Sequence, residues 1–399
     1  MMHSDSPMPA SARHVLFCAT LILLLSMGVR ATFGLFMPTM GVEQGWGRDV
    51  FSMAFAIQNL VWGATAVLVG ALADRWGAAR TLVFSILSYA AGLIGMRYAQ
   101  SPAELYLYAG VLVGMGQAGT TFAVLLPAVA RAVPVHYRGT AMGIASAGGS
   151  MGQFIVVPIG QLLIDGLDWS GALWVLSSAM MTLLPLVWWM RGKPRSHAGP
   201  AQSMGGAVKQ AVSDRSFHFL LGSYFVCGFH TAFVTLHLPA YAVDRGLSPT
   251  HGAMALAIIG LFNVLGCYGA GHLGGIYSKK KLLAGVYFTR SVAICLLLLF
   301  PLTPMLLYVF SAVIGLAWLG TVPLTTGLIG QIYGMRYAAT LSGLVFFGHQ
   351  WGSFIGVWGG GKVFVELGSY DVIWWISLFL GLAAAALALP IRERALVTP

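Results

Sequence analysis

Long apolar runs separated by short polar breaks dominate the chain. At roughly 20 apolar residues per membrane crossing, the runs predict twelve helices. They lie near 13–38, 50–73, 78–98, 103–131, 138–165, 169–190, 217–242, 251–277, 282–300, 303–330, 337–365 and 371–390. One polar stretch is long, from Arg191 to Ser216, and it carries Pro194, Gly199, Pro200, Gly205 and Gly206. It divides the runs six and six. The pattern sets a cytoplasmic tail over 1–12, a six-helix bundle over 13–190, a central cytoplasmic linker over 191–216, a second bundle over 217–390 and a tail over 391–399. The first helix is expected to end near Pro38. Gly45-Trp46-Gly47-Arg48-Asp49 reads as a short turn, with Trp46 at the membrane interface.

Composition makes this an all-α integral membrane protein. Of 399 residues 58% are apolar and 9% charged, with a mean hydropathy of +0.80. A soluble domain carries about 25% charged residues. The net charge of +10 would suit a nucleic-acid partner, but its placement argues for lipid instead. Sixteen of the 22 Lys/Arg fall on the side of the N-terminus, and four (Arg48, Arg97, Arg245, Lys362) fall on the other. Arg30 and Arg290 lie within spans. This is the positive-inside asymmetry, and it puts both termini in the cytoplasm of a bacterial-type inner membrane. Cys18, Cys227, Cys267 and Cys295 are scattered through apolar helices, which fits buried free thiols and no metal set or disulfide frame. The first apolar run continues past Arg30 with no small-residue cleavage site, so it is a span and not a secretory signal.

The two halves repeat. Shifting 137–177 by 200 positions matches twelve of 41 residues, Gly143, Gly148, Gly152, Val157, Gly160 and Trp174 among them, where chance in so biased a composition gives roughly four. The same shift lays Gly228-Phe229-His230-Thr231-Ala232-Phe233 on Gly28-Val29-Arg30-Ala31-Thr32-Phe33. Arg30 and His230 are therefore repeat mates on the first and seventh helices.

Between the second and third helices runs Gly70-Ala71-Leu72-Ala73-Asp74-Arg75-Trp76-Gly77-Ala78-Ala79-Arg80. Gly70 and Gly77 permit a tight turn and close packing. Asp74 is placed to accept from a helix N-terminus, and Arg75 and Arg80 hold the loop at the cytoplasmic face. The stretch resembles the signature of the major facilitator superfamily. The resemblance implies two six-helix halves related by a pseudo-two-fold axis, a first and a seventh helix lining a central cavity, and a motif (Gly70, Asp74, Arg75, Gly77, Arg80) that gates the inward-closed state. In the second half Gly275 stands where Asp74 stands in the first. The fifth helix opens Arg138-Gly139-Thr140-Ala141-Met142-Gly143-Ile144-Ala145-Ser146-Ala147-Gly148-Gly149-Ser150-Met151-Gly152. This resembles the pattern of monocarboxylate transporters and oxalate–formate antiporters, as do Arg30-Ala31-Thr32-Phe33-Gly34 and Gly45-Trp46. The glycine spacing gives a small-residue face for a neighbouring helix.

A guanidinium at membrane depth must be shielded or used. All twelve Asp and Glu map to cytoplasmic or periplasmic positions, so Arg30 has no acidic partner in the chain, and a substrate carboxylate is the bidentate partner it lacks. Arg290 is expected to support the eighth helix, near Tyr268 or His272. His230 and His237 share a face of the seventh helix and are candidates to bind or relay a proton. His349, Asn263, Gln117 and Thr121 are the further substrate-binding candidates. Gln58, Asn59, Thr120, Gln153, Thr321, Thr325 and Thr326 fit helix–helix hydrogen bonds.

These readings converge on a secondary active transporter that moves a small organic anion by alternating access, coupled to protons or exchanging anions. The alternative is an exporter of drugs, siderophores or other metabolites on the same fold. An embedded enzyme or sensor using the histidines is disfavoured, since no His-x-x-x-His metal spacing is present. The reading calls for no cofactor and no metal, a carboxylate substrate, protons as a candidate partner, a lipid bilayer around a monomer, and no nucleic acid.

Overall fold

The computed structural model describes residues 8–134, 138–191, 204–334 and 338–395, and every regular element in them is helical. The calls that fall on 1–7, 192–203 and 396–399, and on Tyr137 and Tyr337, lie outside the described residues, as do the side chains of Asp74 and Arg75.

Six helices form the first half: α1 (Ala10–Gln44), α2 (Arg48–Trp76), α3 (Ala78–Tyr98), α4 (Pro102–Ala132), α5 (138–167) and α6 (169–190). Six form the second: α7 (Arg215–Asp244), α8 (Pro249–Ile276), α9 (Lys279–Leu299), α10 (Pro304–Tyr333), α11 (Ala338–Leu367) and α12 (Asp371–Ala388). Ten described segments are long and apolar enough to cross a membrane. One of these, Ala141–Met190, has 50 residues. At 1.5 Å per residue it is about 75 Å long, enough for two crossings of a 30 Å core. It reverses at Asp168 (φ 56°, ψ 176°), where α5 ends and α6 begins. α11 has 30 residues, more than a crossing needs, and His349 and Gln350 lower its apolar average. Among the described residues the crossings thus number twelve, and Met8 and Ala395 lie on one side of the bundle, here the near side.

The repeat is visible in the turns. Gly45 (φ 67°) closes α1 and Gly246 (φ 86°) follows α7, while Asp168 and Gly368 (φ 69°) occupy equivalent corners. Left-handed backbone suits glycine, and Asp tolerates it when its side chain bonds locally. Asp168 Oδ1 accepts from the Ser170 and Gly171 N–H groups at 3.2 and 3.4 Å, capping α6.

The glycines of the repeat also pack as the sequence anticipates. Gly28 of α1 faces α5, where an added Cβ would lie 2.7 Å from the Gly152 carbonyl. Gly148 meets Thr20 and Gly152 meets the Leu24 carbonyl, so α1 and α5 touch backbone to backbone. In the second half Gly228 of α7 meets the His349 carbonyl, and Gly348, Gly352 and Gly356 of α11 meet Leu221, Phe225 and Phe229.

One expectation needs correction. α1 does not end near Pro38. It bends at Thr32 and runs to Gln44 with Pro38 inside its second segment. Proline removes one N–H and crowds the carbonyl four residues before it; the bend lies a little further back, six residues before Pro38. The described part of the stretch between the halves contains a short helix, Met204–Val212, that buries Ala211 and packs Val208 against the second half.

Two helices are interrupted at repeat-related points. α4 breaks at Thr121 (φ −117°, ψ −163°), and α10 breaks between Leu316 and Thr321. At the near side Glu393 accepts from Ser278 Oγ (2.6 Å) and from the Lys280 N–H (3.0 Å) at the start of α9. It supplies a carboxylate in the half where Gly275 has replaced Asp74. Burial pushes the Glu393 carboxyl up, but these hydrogen bonds outweigh burial and hold it below its ordinary range.

Candidate substrate site between the halves

The halves meet along α2 with α11, α5 with α8, and α1 with α7. At the far side Arg48 of α2 makes a two-pronged ion pair with Asp244 of α7, 2.5 and 2.6 Å, and its Nη1 donates to Tyr370 Oη at 3.2 Å. The guanidinium stands 3.9 Å over the Phe364 ring. At mid-depth Trp62 of α2 meets Phe346 of α11 edge to face at 5.5 Å. There too Gln153 of α5 donates to the Leu256 carbonyl of α8 at 2.8 Å. Toward the near side the pairs part: among the described residues nothing lies within 4 Å of a Cβ added at Gly70 of α2, Gly143 of α5, Gly269 of α8 or Gly343 of α11. The molecule is closed at the far side and splayed at the near side.

Arg30 lies where this splay begins. Its Nη2 donates to Asn59 Oδ1 at 2.9 Å, and its guanidinium carbon stands 5.0 Å from the centre of Trp62. Asn59 is oriented by donating to the Phe55 carbonyl at 2.8 Å. The Arg30 Nε is buried with no hydrogen-bond partner, and among the described residues no carboxylate pairs with the guanidinium. On its far side lies a cavity of about 20 Å³, room for about one water, lined by Phe33, Gly34, Phe55, Asn59, Thr235 and Leu236 among others.

The candidates divide into those near Arg30 and those elsewhere. Thr121, at the break of α4, accepts from Trp62 Nε1 at 3.2 Å and thereby sets the ring under Arg30. Gln117 is fully buried beside Tyr89. The Tyr89 hydroxyl in turn donates to the Ser26 carbonyl one turn before Arg30 at 3.0 Å. Arg30, Thr121 and Gln117 thus share one neighbourhood.

The second-half candidates do not share it. His230 turns to α12, with its Nε2 2.8 Å from the Ser377 carbonyl; α7 lends Ala232, Thr235 and Leu236 to the cavity instead. Register is conserved between the mates, but the short imidazole meets α12 where the longer arginine reaches α2. His237 belongs to the far-side closure, its Nδ1 3.0 Å from Tyr370 Oη and its Nε2 2.9 Å from the Val357 carbonyl. Asn263 is a strut: it donates to Ser150 Oγ at 2.8 Å and accepts the Leu319 N–H, freed by the break in α10, at 2.9 Å. His349 bonds Gln350 Oε1 at 3.1 Å, stacks on Phe346 and lies against Tyr224.

Arg290 is not at Tyr268 or His272. Its Nε donates to the Ala317 carbonyl at 2.8 Å, its Nη2 donates to the Trp318 carbonyl, and its Nη2 approaches Cys227 Sγ at 3.5 Å. A broken helix inside a bilayer leaves carbonyls that water cannot reach, and Arg290 takes two of them. Of the gating motif, Gly77 (φ 89°) makes the turn between α2 and α3 and Arg80 is exposed, but a Cβ added at Gly70 would meet nothing within 4 Å among the described residues. Open space at Gly70 fits a motif that engages when the near side closes.

Sequence reasoning passed over Trp62, Tyr89 and the Arg48–Asp244 pair. Trp62 looked like any interfacial ring. Arg48 and Asp244 did carry a signal, opposite charges at helix ends on the same predicted side, but nothing in the pattern joins α2 to α7.

A family model described as Major Facilitator Superfamily matches residues 18–357. The chain is 24% identical over 376 residues to the uncharacterized MFS-type transporter YcxA of Bacillus subtilis (strain 168), covering 92% of this chain and 91% of that protein. It is 25% identical over 338 residues to monocarboxylate transporter 12-B of Danio rerio (74% and 69% covered). Against the gallate transporter of Pseudomonas putida it is 23% identical over 430 residues (97% and 92%). Two solved structures share the fold. One is a bacterial homolog of the human lysosomal transporter Spinster in an inward-facing, occupied conformation, with TM-score 0.78, 14% identity and 95% and 96% coverage. The other is a D-xylose–proton symporter, with TM-score 0.77, 15% identity and 96% and 98% coverage. Family match, repeat geometry and shared fold agree: this chain is a multi-pass membrane protein that belongs to the major facilitator superfamily.

Proposed function

We propose that the protein carries a small organic anion across a bacterial inner membrane, with Arg30 binding its carboxylate. The observation that carries this reading is the state of Arg30. It is a permanent charge at membrane depth with one hydrogen bond to Asn59, an unpaired Nε and no carboxylate among the described residues. An anion arriving from the splayed side meets a preset guanidinium in a medium of low polarity, where a two-pronged contact is strong. Relatives named as monocarboxylate and gallate transporters lend support, gallate being itself a carboxylate.

Both termini and the splayed near side face the cytoplasm in this reading, in keeping with the excess of Lys and Arg there. Transport follows by rocking the halves about the Trp62–Phe346 level, so that the far side opens as the near side closes. With no acid beside Arg30, the cycle runs by anion exchange, or a proton travels on a histidine or on the substrate's own carboxyl.

Replacing Arg30 by Ala tests the assignment. Folded protein with no carboxylate uptake into vesicles is the expected outcome, and Arg30→Lys, which loses the second prong, should weaken uptake about tenfold or more. Uptake by Arg30→Ala with unchanged affinity would refute the role.

A further inference from the structure

We infer that the carrier selects carboxylates whose remainder is a flat aromatic ring, with Trp62 and Phe346 as the residues that read the ring. The inference rests on Arg30 as the carboxylate anchor and names the class of anion that the anchor would hold.

The first argument is what the site lacks. Beyond Arg30, the polar side chains that line its cavity are committed. Gln58 donates to the Ala109 carbonyl, Asn59 to the Phe55 carbonyl, and Thr235 to the Thr231 carbonyl. Thr121 donates to the Gln117 carbonyl while holding Trp62. The amides of Gln117, beside Tyr89, and of Gln350 are fully buried. A hydroxyl, amine or second acid on the substrate would give up water for no partner, and that desolvation is costly.

The second argument is what the site offers. From the guanidinium across to α11 runs a continuous series of aromatic side chains. Arg30 stands 5.0 Å over Trp62, Trp62 meets Phe346 at 5.5 Å, and Phe346 stacks on His349 at 5.7 Å and 14°. Arg30 and Phe346 are both partly accessible, and they lie where α2 and α11 begin to part. A carboxylate on the guanidinium would point its remainder along this series. An aromatic ring there gains edge-to-face or offset stacking that a saturated ring of the same size does not. The position also gives the selection a purpose. Trp62 belongs to the first half and Phe346 to the second, so a ring laid against their contact would touch both moving bodies at once.

The experiment measures binding of benzoate, cyclohexanecarboxylate and lactate to purified protein. Thermal unfolding reports the binding, since a ligand selective for the folded state raises apparent stability. Competition for uptake in vesicles gives the second readout. Benzoate is expected to bind most tightly, about fivefold or more over cyclohexanecarboxylate, the ratio given by ~1 kcal/mol of ring–ring interaction. Phe346→Leu should bring the two rings to parity. Equal binding of the two rings by the parent protein, or tighter binding of lactate, overturns the inference while leaving Arg30 as a carboxylate anchor. Failure of all three acids, together with an indifferent Arg30→Ala, instead removes the anchor itself. The parent-protein comparison decides the matter even where Phe346→Leu does not fold.

Discussion

Two arginines sit within the membrane spans, and their surroundings give them opposite roles. Arg290 spends its donors on the Ala317 and Trp318 carbonyls at the break of α10, whereas Arg30 has a single bond to Asn59 and a free Nε. Arg290→Met removes two charge-assisted bonds, worth about 1.5–3 kcal/mol each. It should therefore lower the thermal unfolding midpoint of purified protein, with Arg290→Lys recovering part of the loss. A variant that keeps its midpoint yet loses binding would instead place Arg290 on the substrate. The presence of both charges was legible in the sequence, because a guanidinium in an apolar run is conspicuous whatever the fold. The direction each side chain takes was not. Repeat register aligns His230 with Arg30, but the reach of the side chain decides whether it meets α12 or α2, and periodicity carries no information on reach.

The helices themselves were legible, because twenty-residue apolar runs leave little alternative. Their ends were less so: Pro38 reads as a stop, yet α1 continues to Gln44, with its bend six residues before the proline. The glycine faces of α5 and α11 were visible as spacing, and the structure adds the partner helices, α1 and α7. Any side chain at Gly152 or Gly352 would collide with backbone of the facing helix. Gly152→Val and Gly352→Val should each abolish monodisperse protein on size exclusion, since a carbonyl cannot move aside as a side chain can. By contrast Gly143→Ala and Gly343→Ala, which meet open space, should yield folded protein. Equal recovery of the valine variants would mean that these helix pairs are not fixed by backbone contact.

For the whole molecule, the far-side closure sets which way the halves lean. Arg48 and Asp244 are partly buried, at 20% and 29% side-chain exposure, and they tie α2 to α7; on the same side Arg245 pairs with Asp371. Tyr370 and His237 extend the network into α11. Opening the far side must break the Arg48–Asp244 pair. Asp244→Asn should therefore shift the equilibrium toward far-side opening by about 1–3 kcal/mol, a change of 5- to 150-fold. A cysteine placed at Ser52, now covered by Gly361, would report it through faster labelling by a membrane-impermeant thiol reagent. The charge swap of Arg48→Asp with Asp244→Arg should slow labelling again. Unaltered labelling in Asp244→Asn would show that the apolar contacts alone hold the far side shut. This closure could not be read from the chain, because its partners lie 196 residues apart.

The break in α10 bears on how the second half travels. Its loose backbone groups are held by Asn263 from α8 and Arg290 from α9. In hydrocarbon, exposing them even briefly is costly. The interruption is therefore a mitred corner and not a hinge: three helices are pinned at one point and swing as a single lever, so whatever flexing the cycle requires falls on the seams between the halves.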